Sequence, residues 1–81
     1  MDTETAKARR KALCARLARI EGQVRGLQKL ISTQAEPDKV SQQMAAARKA
    51  LDKAFFAMVA ELMATDQITP EKAADLLLRF A

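Results

Sequence analysis

Between Ala6 and Ile20 the chain carries Lys7, Arg9, Arg10, Lys11, Arg16 and Arg19 and no acid. Lys and Arg gathered on one helix neutralise backbone phosphates and release their condensed counterions, which is the sequence-independent part of nucleic-acid binding. The placement is costly, because the amino-terminal end of a helix carries partial positive charge and each cation there gives up a few tenths of a kcal/mol. A face built only for solubility mixes signs, as Glu21 and Arg25 do at a spacing of four. A solvated charged face is the plain alternative, since no aromatic residue is interleaved for base stacking. Arg48, Lys49 and Lys53 form a second basic group that extends the first if the chain folds the two alongside.

Other chemistry is sparse. There is no His and one Cys, so thiolate and imidazole cannot be combined into a soft metal site. No pairing of nucleophile with base and no paired carboxylates stand out, and no cofactor motif is present. Cys14 falls near Arg10 and Leu17. A guanidinium beside a thiol favours the thiolate, making Cys14 a candidate redox residue; the bland reading is a small, half-buried hydrophobe. Gly22 and Gly26, with Ala15 and Ala18, make a smooth strip away from the apolar positions. Each helical Gly costs about 1 kcal/mol relative to Ala, so close approach by another backbone is the expected reason for them. They are no nucleotide-binding loop, because no strand precedes them and the G-x-G-x-x-G spacing is missing.

These residues need helices to position them. From about Lys7 to Ser32, Leu13, Leu17, Ile20, Val24, Leu27 and Ile31 recur at spacings of four and three, the stripe of an α-helix. Such a helix spans roughly 39 Å at 1.5 Å per residue. A loop over Thr33 to Glu36 precedes Pro37, which suits the first turn of a second helix reaching about Thr65. That helix carries Val40, Met44, Ala47, Leu51, Ala54, Met58 and Leu62 on one seam, widened by Phe55, Phe56, Val59 and Met63. So broad a face calls for two neighbours. Thr69-Pro70-Glu71 supplies an N-cap, a first-turn Pro and a first-turn acid for a short third helix with Ala73, Leu76, Leu77 and Phe80 inward.

The 81 residues make a single domain, 1–81, in the all-α class: two long antiparallel helices plus a short third. With 49% hydrophobic residues, a lone hairpin leaves too much uncovered, so pairing of two hairpins into an antiparallel four-helix bundle is expected. The net charge of +4 is concentrated: residues 1–31 hold eight Lys/Arg against three acids, residues 32–68 four against five, and residues 69–81 two against two. Asp2 and Glu4 precede the first apolar residues and no apolar run approaches the 18 or so needed for a bilayer, so neither a signal peptide nor a membrane span is expected. A lone Cys agrees with a reducing, cytoplasmic setting.

The run RLARIEGQVRGLQKLI, Arg16 to Ile31, resembles the first-helix signature of the copper-sensing operon repressor (CsoR/RcnR/FrmR) family, and VSQQMAAARKALDKA, Val40 to Ala54, is similar to its second-helix segment. The resemblance implies an all-helical subunit, a dimer on an antiparallel four-helix bundle, usually paired into a homotetramer, and repression through operator DNA without a helix-turn-helix. It implies DNA contact by basic first-helix residues. Arg16 matches one such Arg, Arg19 matches a second found in some members, and Lys53 falls where some members place an Arg. Arg9, Arg10 and Lys11 sit in the family's basic lead-in, and Arg48 and Lys49 adjoin Lys53.

The departure lies in the sensing residues. Copper sensors of this kind place a Cys at the start of the second helix and a His and a Cys near its end; here those positions are Pro37, Leu62 and Asp66. The nickel/cobalt pattern fails for want of His, the formaldehyde pattern because of Pro37 and Asp2, and persulfide sensing for want of two thiols. The expectation is therefore a DNA-binding repressor with no metal or cofactor site of the family kind and an inducer other than Cu(I). Two readings compete with it. A small helical mutase of the chorismate type needs Arg, Lys and an acid clustered on an inward face, whereas the seams are almost purely apolar. A bare oligomerisation module differs by having no DNA affinity of its own.

Overall fold

A computed structural model describes residues 3–81; Asp2, on which two of the readings above drew, lies outside them. Helix α1 runs Thr3–Ser32, α2 Pro37–Ala64 and α3 Pro70–Phe80. The expected start of α1 at Lys7 is one turn late: Glu4 sits in the first turn, where it suits the helix dipole, and Ala6 in the same turn is buried. The start of α2 falls at Pro37 as its fixed φ suggests. At α3 the Oγ1 of Thr69 accepts the Lys72 N–H at 3.0 Å, the N-cap that the Thr-Pro-Glu sequence announces.

Both long helices end in the same way. After α1, Gln34 takes φ 58°, and the N–H groups of Gln34 and Ala35 donate to Ile31 and Leu30 carbonyls at 3.1 and 2.9 Å. After α2, Asp66 takes φ 57°, with Asp66 and Gln67 donating to Met63 and Leu62 at 3.1 and 2.9 Å. Each is a Schellman ending, which satisfies terminal carbonyls at a left-handed residue. Glycine usually fills that position; here neither residue is glycine.

Helices α1 and α2 pack as an antiparallel hairpin, since Arg9 near the start of α1 meets Glu61 near the end of α2. Helix α3 packs on α2 and not on α1. The extents are 49 × 29 × 12 Å, and 12 Å is the thickness of one helix with its side chains. The subunit is a single layer of helices with two open faces. Its core is correspondingly thin: Ile20 and Leu27 on α1 and Ala47 and Ala54 on α2, each pair seven apart, are buried, as are Val59 on α2 and Ala73 on α3.

Of the remaining seam residues, Leu13, Val40, Met58 and Leu62 are half-buried and the rest are not covered within the subunit. Leu17, Val24, Ile31, Met44 and Leu51 are all exposed, Ile31 at 58% and Leu51 at 54%. Of the third helix, Ala73 is buried and Leu76 and Leu77 half-buried, but Phe80 is 65% exposed. The expectation of an inward Phe80 is corrected: α3 has only α2 to lean on, and in its last turn Phe80 lies under the Arg79 guanidinium at 5.0 Å. No helix among the described residues is long and apolar enough to cross a membrane.

Candidate nucleic-acid interface

A groove between α1 and α2 runs along one face of the layer, in two parts that share Arg16 and Arg19. The first, about 280 Å³, is lined by Arg9, Ala12, Leu13, Arg16, Arg19, Ala57 and Glu61. The second, about 400 Å³, is lined by Arg16, Arg19, Ile20, Gln23, Ala46, Lys49, Ala50 and Lys53. The spacing explains the arrangement. Arg9, Arg16, Arg19 and Gln23 follow at seven, three and four, and Ala46, Ala50, Lys53, Ala57 and Glu61 at four, three, four and four, so each set keeps to one side of its helix. The alanines are too short to close the groove, which leaves long basic side chains along an open channel. Arg16 is half-buried between the helices, while Arg9, Arg19, Lys49 and Lys53 are exposed.

Of the eight basic positions singled out from the sequence, Arg9, Arg16, Arg19, Lys49 and Lys53 thus meet in this groove. Arg48 does not; it lines the opposite face, with Met44, Ala47 and Leu51. One residue turns a helix by about 100°, which is enough to separate Arg48 from Lys49. Arg10 and Lys11 are exposed but line neither part of the groove. Arg10 is in phase with Leu17 and the opposite face, and Lys11 points away from α2.

Glu61 was not anticipated. Among the described residues it is the one acid lining the groove and its Oε1 has no hydrogen-bond partner; its side chain is only 15% exposed, with Oε2 3.9 Å from Arg9 Nε. The signal was present in the sequence, since Glu61 continues the four-residue spacing of the alanine strip.

The opposite face is mainly apolar, although Glu21, Arg25 and Arg48 also line it. Leu17, Val24 and Ile31 on α1 and Met44, Leu51 and Met58 on α2 each step by seven and line depressions along the hairpin there. Leu13 and Ile20 reach both faces. Cys14 is exposed rather than half-buried. A Cβ placed on Gly22 or Gly26 meets nothing within 4 Å, so the close approach expected there is not made by any part of this subunit.

The profile of a metal-sensitive transcriptional repressor family matches residues 9–77, which takes in most of α1, all of α2 and most of α3. The chain belongs to that family. It is a family of repressors rather than of enzymes, and the match agrees with the resemblance carried by Arg16 to Ile31. No curated protein and no solved structure matches the chain.

The family's description raises the question of a metal, and the residues here do not fit the soft-ligand set. Pro37 opens α2 with a ring nitrogen committed to the backbone, and Leu62 offers only its carbonyl, which already accepts the Gln67 N–H at 2.9 Å. Asp66 stands outside the helix in the left-handed position of the Schellman ending. A single hard carboxylate is a poor partner for Cu(I). Among the described residues no three His, Cys, Asp or Glu side chains gather into a candidate site.

Proposed function

We propose that this family member is a DNA-binding transcriptional repressor that grips the phosphate backbone of operator DNA through the α1–α2 groove and is released by an inducer other than Cu(I). The observation that carries the reading is the convergence of Arg16, Arg19, Lys49 and Lys53 on one groove, on the face turned away from the exposed apolar seam. Cations from two helices then stand on both sides of a channel, where they can straddle a line of phosphates. Arg9 extends the row toward the start of α1. Arg10, Lys11 and Arg48, placed off the groove, act at most through the general field.

The apolar face supports the assembly part of the proposal. Leu17, Val24, Ile31, Met44 and Leu51 form a contiguous apolar surface of the kind that marks an interface. A second hairpin laid on it closes an antiparallel four-helix bundle, a homodimer that can pair again into a homotetramer. This burial leaves both basic grooves on the outside. One layer per subunit thus supplies both an assembly face and a binding face, within the single domain 1–81. The proposed role is that of a cytoplasmic repressor rather than an enzyme.

The test is a titration of purified protein against GC-rich and AT-rich duplexes at two salt concentrations. Affinity that falls steeply with salt supports the proposal; oligomers without DNA affinity support a bare oligomerisation module instead. An anaerobic Cu(I) titration against a strong chelator, read alongside DNA release, checks the inducer: tight stoichiometric binding that frees the DNA defeats that part of the reading. Release by oxidant that is lost in Cys14→Ala would make the exposed Cys14 a sensor.

A further inference from the structure

The groove contains its own anion. Glu61 places a carboxylate among Arg9, Arg16 and Arg19, 3.9 Å from the Arg9 guanidinium, in a channel otherwise lined by cations, apolar side chains and Gln23. That distance is an ion pair without a hydrogen bond, and the second oxygen is buried with no donor. The Arg9 side chain, in contrast, is 44% exposed and free to leave such a weak pair.

We propose that Glu61 is a resident competitor for Arg9, an internal substitute for phosphate that lowers DNA affinity by holding that guanidinium. The inference rests on the DNA-binding reading above. When a phosphate takes Arg9, Glu61 loses its cation while remaining secluded, so each binding event carries the cost of stranding a charge. The carboxylate is too secluded to reach a base edge, so its effect is the same on every sequence. It damps the general attraction for DNA and leaves base discrimination untouched. The consequence for Arg9 is a net contribution smaller than that of Arg16, although both line the same part of the groove.

A double-mutant cycle tests this with intact oligomer, using Glu61→Gln, Arg9→Ala and the double variant on the duplexes of the previous section. Glu61→Gln should bind roughly two- to fivefold tighter, the range set by freeing one partly exposed pair, and its gain should vanish in the Arg9→Ala background. Unchanged or weaker binding by Glu61→Gln at wild-type helicity and assembly overturns the inference. So does an equal gain with and without Arg9, which would mark a plain change of net charge. Should the amide fail to assemble, Glu61→Asp keeps the charge and shortens its reach; an intermediate gain supports the inference and no gain overturns it. Wild-type protein that binds neither duplex overturns the DNA reading, and this inference with it.

Discussion

The two faces of the layer are built from the same two helices, yet one collects leucine, valine, isoleucine and methionine and the other arginine, lysine and alanine. The contrast rests on phase. On α1, Leu17 and Arg16 are adjacent in sequence and on opposite faces; on α2, Leu51 and Lys49 are two residues apart and equally separated. A heptad stripe that looks uniform in sequence is divided by its packing partner. Its middle row, Ile20 and Leu27 against Ala47 and Ala54, closes the hairpin, and its outer row stays exposed.

The largest effect expected from breaking this contrast is a charge on the apolar face. Leu51→Glu should leave the subunit helical but weaken self-association by at least roughly a hundredfold, since the carboxylate would be buried unpaired in the bundle. Sedimentation at micromolar concentration measures it, and a wild-type protein that is already monomeric would remove the assembly argument altogether. Next in size, Arg16→Ala and Arg19→Ala should each weaken duplex binding about tenfold and flatten the log–log salt dependence by about one unit per lost phosphate contact. Lys53→Ala should act in the same direction and less strongly. Arg48→Ala, across the layer, should leave the salt slope unchanged; an equal loss from Arg48 and Arg16 would show that the groove is not the binding face.

The smallest effects are expected on the rim, which belongs to neither face. Gly22→Ala and Gly26→Ala each have open space for the added methyl group, and should raise stability by about 0.5–1 kcal/mol in thermal unfolding. Destabilisation instead would place a second backbone against that edge. Replacing the left-handed Gln34 or Asp66 by glycine should likewise stabilise by a few tenths to about 1 kcal/mol, because the strain of αL at a residue with a Cβ disappears.

Much of this was legible in the sequence, and unevenly so. Pro37 and Thr69-Pro70 gave the starts of α2 and α3 because their chemistry is local: a fixed φ, a hydroxyl for a free N–H. The seam gave the hairpin because periodicity survives any packing. What could not be read was which way each stripe would turn, since that depends on the neighbour. Arg48 therefore fell with Lys49 in sequence and apart from it in space, and Phe80 kept the inward phase of α3 while α2 offered it no cover. Glu61 went unnoticed for a different reason: an acid amid apolar residues near a helix end reads as ordinary solvation until Arg9 arrives from 52 positions away.

Leu13 and Ile20 touch the channel on one side of the layer and the apolar depressions on the other. Nothing thicker than those side chains separates the two. In the proposed bundle, a roll of α1 about its axis that narrowed one groove would widen the other, so whatever stiffened that bundle would also set the gauge of the basic channel. Linkage of that kind would be reciprocal: a duplex that selected one width would favour the assembly that holds it, and the dissociation constant of the proposed dimer with and without DNA would measure the strength of that coupling.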